Sequence, residues 1–263
     1  MSPTNNIRRP GILGIVNVTP DSFSDGGEFF SCDQAVRHAL TLLDDGADIL
    51  DIGGESTRPG AVEVPAEEEL RRVIPVIRGI RCLRPDARIS IDTRKAGVAA
   101  AAVEAGATVI NDVSGLASDP DMAATAARTG AHLILGHAGP PVDTGDIVAA
   151  VRDHLRRAGE KARQAGVAGD KLIFDPCLGF AKSPGQDWEI LHRLAELLPL
   201  GPVLIAHSRK SFLGHLLNRP EPRDREMATA AVTLYAAQHG AAMVRVHDVR
   251  AARDLLTVWE RLA

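Results

Sequence analysis

The stretch Asp45-Gly-Ala-Asp-Ile-Leu-Asp-Ile-Gly-Gly54 runs from a helix stop through a short aliphatic segment into a polar loop. Gly46 suits the left-handed backbone that closes a last helical turn, and the aliphatic residues after it suit a strand. Its opening tetrad recurs as Ala105-Gly-Ala-Thr108, Thr129-Gly-Ala-His132 and His239-Gly-Ala-Ala242, each ahead of another aliphatic run. Gly166 ends a further helical stretch in the same way. Outward from these marks the chain reads as eight strands, at 11–19, 48–54, 88–93, 108–115, 132–137, 172–177, 202–208 and 243–248. Helical runs fall near 33–45, 66–81, 95–105, 120–129, 146–165, 187–197, 224–238 and 249–262. Asp33 and Asp146 are placed to cap helix N-termini, and Pro65 and Pro120 to occupy first turns.

Strand and helix in alternation imply parallel strands joined by crossovers. Segments such as Val203-Leu-Ile-Ala206 and Leu172-Ile-Phe174 are apolar at consecutive positions, as needed when helices cover one face and a packed interior the other. At 263 residues this pattern predicts an α/β chain folded as a single (β/α)8 TIM barrel, although length alone also fits a doubly wound sheet. No Pro/Ser-rich linker or charge block interrupts it, so residues 1–263 read as one domain.

Apolar residues make up 45% of the chain and charged residues 24%, enough aliphatic material for a full core. An aromatic content of 3% and a net charge of -4 argue against nucleic acid as a partner, since neither base stacking nor phosphate neutralisation is served. Cys32, Cys82 and Cys177 lie far apart and form no C-x-x-C pair, so a reducing cytoplasm is the expected setting. Residues 1–10 are polar, and no later stretch has roughly 18 uninterrupted apolar residues, so no membrane partner is expected.

Polar residues gather where each strand should end, the rim that carries the active site in such barrels. They are Asn17, the loops 19–27 and 53–60, Asp92, Asn111 with Asp112, His137, Asp175, His207 to Lys210, and Arg245 with His247. Single polar residues at strand ends are commonly helix caps, but this set is chemically coherent. Carboxylates and an amide suit a ring edge rich in N–H donors, while Arg, Lys, His and a Gly-rich loop suit pyrophosphate. Dinucleotide, P-loop and nucleophile-elbow signatures are absent, and the scattered His and Cys residues lack zinc-ligand spacing.

Two long segments, Gly14-Ile-Val-Asn-Val-Thr-Pro-Asp-Ser-Phe-Ser-Asp-Gly-Gly27 and Asp51-Ile-Gly-Gly-Glu-Ser-Thr-Arg-Pro-Gly60, closely resemble the signatures of the dihydropteroate synthases, a pterin-binding family. Ile91-Asp-Thr, Ile110-Asn-Asp-Val, Asp175-Pro, Gly179-Phe, Ser208-Arg-Lys-Ser-Phe-Leu-Gly and Arg245-Val-His-Asp follow in the family's order. The resemblance implies that pyrophosphate at the methylene of a dihydropterin is replaced by the amine of p-aminobenzoate, in folate synthesis. It implies pterin contacts from Asp92, Asn111, Asp175, Lys210, Arg245 and His137, with Asp175 as the specificity anchor. Asn17, Thr57, Arg58, Arg245 and His247 would hold pyrophosphate, with Mg2+ as cofactor and Asn17 as its protein ligand. Phe23, Pro59, Phe180 and Ser208 would wall the p-aminobenzoate pocket, and Asp25, Arg58, Lys210 and Arg245 would act in catalysis. Gly26-Gly27 and Gly53-Gly54 would hinge the two closing loops. The family also implies a sulfonamide target and a homodimer through the outer helices.

The chain departs from the family pattern at Gly136-His137, at Cys177, at Ala181 and at Ala206-His207, positions expected to border the pterin and aminobenzoate pockets. His137 stands as candidate for a wall position usually held by Met, and Lys182 is read equally as solvated or functional. Two competitors follow. One is a methyltetrahydrofolate methyltransferase, which would not need the Ser208 and Arg245 segments for pyrophosphate. The other is a paralogue that binds pterins without turnover, suggested by the departures.

Overall fold

The structure, a computed structural model, describes residues 9–19, 32–55, 63–139 and 145–263. Eight parallel strands alternate with helices among them. In order they are β1 (Gly11–Asn17), α1 (Cys32–Asp44), β2 (Ile49–Gly53), α2 (Ala66–Leu83), β3 (Ile89–Asp92), α3 (Ala96–Glu104), β4 (Val109–Asp112) and α4 (Met122–Thr129). There follow β5 (His132–Gly136), α5 (Ile147–Gln164), β6 (Leu172–Asp175), α6 (Pro184–His192), β7 (Leu204–Ala206), α7 (Ser211–Leu217), α8 (Glu226–Gln238), β8 (Met243–Val246) and α9 (Val249–Leu262). Spatial order is β6-β5-β4-β3-β2-β1-β8-β7. A lone parallel bridge between Phe174 and Val203, with the Phe174 amide donating to the Pro202 carbonyl at 2.9 Å, brings the ends together into a nearly closed barrel.

Side chains alternate across each strand, so every second residue enters the barrel. Leu13, Ile49, Val109, Ile134, Ile173, Leu204 and Met243 meet there as a separate buried apolar cluster, the floor of the interior. Their neighbours Ile12, Leu50, Ile110, Leu133, Leu172, Ile205 and Val244 face the helices in the main core. Above the floor the inward positions become polar. Asn17, Gly53, Asp92 and Asn111 are aligned by strand register across β1 to β4, and Gly136 is aligned with Asp175 across β5 and β6.

Local chemistry sets the element ends. Gly46, Gly106, Gly130 and Gly166 all have the positive φ expected of helix stops. Asp146 caps α5, accepting from the amides of Val148 at 2.9 Å and Ala149 at 3.1 Å. Three expectations fail. Asp33 lies inside the first turn of α1, Pro65 is the N-cap of α2 and lies ahead of its first turn, and Pro120 precedes α4, whose N-cap is Asp121. Helix α6 starts earlier than the apolar periodicity implies, because Ser183 and Gln186 form a reciprocal capping box with Pro184 in the first turn. Helix α7 has no counterpart among the helical runs read from the sequence; its seven residues are too few to show a helical repeat.

Phe174 is fully buried on the helix-facing side of β6. Gly159 and Gly201 leave room for it, since a Cβ on either would lie 3.1 Å from its ring. Truncation by Phe174→Ala should therefore open a cavity that backbone cannot fill and cost about 3 to 5 kcal/mol in urea unfolding. A loss below about 1 kcal/mol would show that the ring does not set this seam.

Candidate active site

The polar layer of the mouth centres on Arg245. Its Cα is aligned with Leu13 and Ala206, level with the apolar floor, and the long side chain rises to meet two carboxylates. Arg245 Nε donates to Asp51 Oδ2 at 2.6 Å, and its terminal Nη2 donates to Asp92 Oδ2 at 2.8 Å. Asn111 Nδ2 also donates to Asp51 Oδ2, at 3.0 Å. All four are inward residues of β2, β3, β4 and β8. Burial pushes the Asp92 carboxyl well above the usual carboxylate range; Arg245 opposes this, while Asp51, Glu69 and Asp112 add to it. Asp51 Oδ1, Asp92 Oδ1, Asn111 Oδ1 and Ser90 Oγ are buried there without a hydrogen-bond partner among the described residues.

A second group forms where β6 and β7 end. Asp175 is buried, and its Oδ1 accepts from the Cys177 amide at 2.7 Å. Burial raises its pKa, against the pull of that amide and of Lys210, Arg245 and Lys182, so the carboxylate shares one electrostatic environment with Lys210 and Arg245. The Lys210 ammonium donates to the Leu178 carbonyl at 2.6 Å and lies 4.0 Å from the centre of the Phe180 ring. Burial lowers its pKa to about 8, although Cys177, Asp175 and Asp187 pull upward. Its stem packs on Gly179, and Asp187 Oδ1 holds that turn through the Gly179 amide at 2.7 Å.

Ser208 and His247 close the layer between β7 and β8. Ser208 Oγ lies 2.9 Å from His247 Nδ1 and accepts from the His247 amide at 3.2 Å. Asn17 is half-buried at the tip of β1. A Cβ on Gly53 would lie 3.9 Å from Asn17 Oδ1 and 3.8 Å from Asp92 Oδ2, so glycine keeps a gap between those two oxygens. Phe23, Asp25, Thr57, Arg58 and Pro59 lie outside the described residues, as do Gly26 and Gly27. A groove of about 510 Å³ on the outer shell, lined by Arg152, Arg156, Arg163, Phe174, Glu196 and Leu200, is set among α5 and the turns after α6. It holds none of the strand-end residues, and Arg156 and Arg152 there already face Glu160 and Glu196.

Residues 13–247 match the model of the pterin binding enzyme family. The chain belongs to the pterin binding enzymes. Within the family it is 44% identical to a dihydropteroate synthase of Synechocystis, over 97% of this chain and 91% of that one. It is 45% identical to the dihydropteroate synthase of Mycobacterium leprae, over 94% and 91%. A Haloferax volcanii protein named "Probable bifunctional folylpolyglutamate synthase/dihydropteroate synthase" is 49% identical over 90% of this chain, which spans only 29% of that longer protein. Among solved structures, Xanthomonas albilineans dihydropteroate synthase with 4-aminobenzoic acid superposes with a TM-score of 0.92 at 46% identity, covering 97% and 94%. The same enzyme with 7,8-dihydropteroate gives 0.90 at 44% identity, with the same coverage.

Gly136, His137 and Cys177, three of the positions at which this chain departs from the family pattern, pack together behind Asp175. A Cβ on Gly136 would lie 2.5 Å from the Val113 backbone and 2.7 Å from Cys177 Sγ, so β5 must be bare where the turn after β6 places a thiol. Cys177 and Ala181 both adopt positive φ, a conformation that costs a side-chain-bearing residue about 1 kcal/mol. Lys182 is neither solvated nor at the mouth's centre. Its ammonium ties the carbonyls of His137 at 2.8 Å, Phe180 at 3.0 Å and Cys177 at 3.1 Å, and lies 3.1 Å from His137 Nδ1. His137 is buried with its ring edge-on to His154 at 4.7 Å. His207, expected beside the pockets, instead faces outward. Its ring lies 3.0 Å from the Thr229 carbonyl and 2.9 Å from Thr233 Oγ1 on α8, because it alternates with the inward Ala206 and Ser208. Gly54, expected as a hinge, is a close-packing position; a Cβ there would meet Val73 at 2.8 Å and Glu69 at 3.0 Å.

Three supports carry little signal in the sequence. Asp51 sits inside the aliphatic run of β2. Glu55 is nearly buried at the root of the second loop, bonded to Lys95 at 2.6 Å and Arg94 at 2.8 Å, and Lys95 also reaches Glu69 at 2.8 Å. Arg225 donates to the carbonyls of Arg209 at 2.8 Å, Arg219 at 2.9 Å and Pro220, shaping the turn that presents Ser208 and Lys210.

Burial, the largest cause in each case, lowers the pKa of His137 from 6.5 to about 3 and that of His207 to about 4. Below pH about 6.5 the unfolded chain takes up protons that these native rings refuse, so their stabilisation is complete above that pH and is lost as pH falls through 4 and 3. Each should contribute roughly 1.4 kcal/mol of lost stability per pH unit in that window. Urea unfolding at pH 7, 6 and 5 checks this, and His207→Asn should flatten the slope. An unchanged slope in that variant would show that the ring titrates normally.

Proposed function

We propose that this chain is a dihydropteroate synthase, joining 6-hydroxymethyl-7,8-dihydropterin pyrophosphate to p-aminobenzoate with release of pyrophosphate in folate biosynthesis. Its relatives carry that name over nearly their whole length, and related structures hold 4-aminobenzoic acid and 7,8-dihydropteroate. The observation that carries the reading is the set of buried acceptors without partners among the described residues, Asp51 Oδ1, Asp92 Oδ1 and Asn111 Oδ1, in the same mouth as Asp175. A pterin edge is rich in N–H donors and would satisfy such acceptors, each of which costs about 1 to 3 kcal/mol when left unpaired.

In this reading Asp175 accepts from the pterin amino group and adjacent ring N–H, while Lys210 donates to ring acceptors. Arg245 lies against the pterin and contributes positive charge toward the leaving group, together with His247, Thr57 and Arg58. The methylene C–O bond breaks with its electron pair leaving on pyrophosphate, and the aryl amine nitrogen forms the new C–N bond and sheds a proton. The protein chiefly stabilises departing negative charge. Phe180 and Ser208, with Phe23 and Pro59 from the loops, would wall the amine acceptor, and Asp25 would act from the first loop. His137, packed behind Asp175, would stiffen that wall.

The residues suit Mg2+, since Asn17 Oδ1 is a hard oxygen donor facing the gap kept open by Gly53. Bound with phosphate oxygens, the ion would neutralise their charge; Asn17 would be its protein ligand. We further propose a cytoplasmic setting, which three free thiols suit, and a homodimer, for which the exposed Leu216, Leu217 and Met227 offer apolar surface.

Pyrophosphate release should require both substrates and fall when a sulfonamide competes. Pterin binding without release would instead identify an inert pterin-binding paralogue, and methyl transfer from methyltetrahydrofolate would identify a methyltransferase. Asp175→Asn should weaken pterin binding about 10- to 100-fold, the loss of a charge-assisted hydrogen bond. Arg58→Ala should mainly lower kcat. Calorimetry beside steady-state kinetics separates the two effects, and parallel losses in both constants for both variants would contradict the roles.

The Lys210 pKa near 8 gives a pH test. As pH rises through 8 the ammonium is lost, so kcat/KM for the pterin substrate should fall. Lys210→Arg keeps its charge and should abolish that alkaline limb. Stability runs the other way: between pH 8 and 10.5 the unfolded chain keeps a proton that the native chain releases, so this group's contribution to stability rises with pH. A pH profile identical in both proteins would remove Lys210 from substrate binding.

A further inference from the structure

Asp51 has no exposed surface, and a single oxygen, Oδ2, accepts from both Arg245 Nε and Asn111 Nδ2. The contact joins β2, β4 and β8, none of which is a direct neighbour of another. Buried ion pairs are on average a weak source of stability, so the placement calls for another reason. It lies in what an ionised carboxylate can do: accept, and never donate. Facing Asp51, the Asn111 amide can only turn its NH2 inward, which leaves its Oδ1 to be presented as an acceptor. That oxygen is buried and has no partner among the described residues. On the other side, Asp51 holds Arg245 through Nε, next to its stem, and Asp92 holds one terminal nitrogen. Two anchors fix the guanidinium plane.

We infer that Asp51 is a positioning residue that sets the hydrogen-bond polarity of Asn111 and the plane of Arg245, so that the mouth offers an acceptor to a ring N–H. This deepens the dihydropteroate synthase reading and rests on it. Asp51→Asn replaces an acceptor-only group by an amide whose NH2 can face Asn111, allowing that side chain to flip and offer a donor where an acceptor is needed. Combining Asp51→Asn with Asn111→Asp exchanges the two groups and restores an acceptor on the β4 side.

The test is calorimetric titration of the full chain with the pterin pyrophosphate, alongside KM for p-aminobenzoate and thermal melting. Asp51→Asn should weaken pterin binding about tenfold or more while KM for p-aminobenzoate stays within about twofold, and the double variant should recover most of the loss. Unaltered pterin affinity in Asp51→Asn, or a double variant no better than the single one, would overturn the inference. So would a fall only in active fraction and melting temperature, the signature of a merely structural role. If native protein does not bind the pterin in the same titration, the proposed function fails, a result distinct from these. Should Asp51→Asn not fold, the side-chain amide signals of Asn111 in 15N-labelled native protein decide. Slow exchange, retained on ligand addition, supports the assignment; fast exchange in the free protein overturns it.

Discussion

A guanidinium held between two buried carboxylates is the contact on which the barrel mouth depends. Arg245 leaves β8 at the level of the apolar floor and reaches Asp51 and Asp92 on strands two and three places round the cylinder. Removing the cation would leave two acids in a medium that disfavours their charge; removing either acid would unbalance the other pair. The same contact explains why Asp92 is raised less than burial alone would raise it, and why Asp175, further round, still feels positive charge.

Parallel strands make such an arrangement possible. Alternate residues enter the interior, and lower inward positions are filled by Leu, Ile, Val and Met. That floor shuts water out from below and presses the next layer upward, where Asn17, Asp92, Asn111 and Asp175 stand at strand tips. Polar side chains there are anchored on rigid elements, with the loops free to differ. The wall made by Gly136, Cys177 and Lys182 follows the same division: β5 is bare at Gly136, and the turn after β6 supplies the side chains that pack there.

Much of this was legible in the residues. Repeated Gly-Ala tetrads and consecutive aliphatic positions marked all eight strands, since glycine stops and two-sided burial leave a strong local trace. Polar residues at the strand ends then stood out against that background. Asp51 did not, because it lies inside an aliphatic run and its importance comes from partners 60 and 194 residues away. Lys182 and Arg225 were hidden for a related reason: they act by tying up backbone carbonyls, which carry no side-chain signature. His207 misled because an imidazole beside Ser208 suggests chemistry, whereas the pleat turns it toward α8. Short α7 gave too few turns to register as periodic.

The barrel's closure is uneven. Seven neighbouring pairs of strands are joined by ladders, but β6 and β7 meet through one bridge and the hydrogen bond that the Phe174 amide donates to the Pro202 carbonyl. A hoop with one thin weld yields at the weld first. The least cohesive line in the sheet thereby falls between the strand that presents Asp175 and the strand that leads to Ser208 and Lys210, and it runs directly up to the pocket.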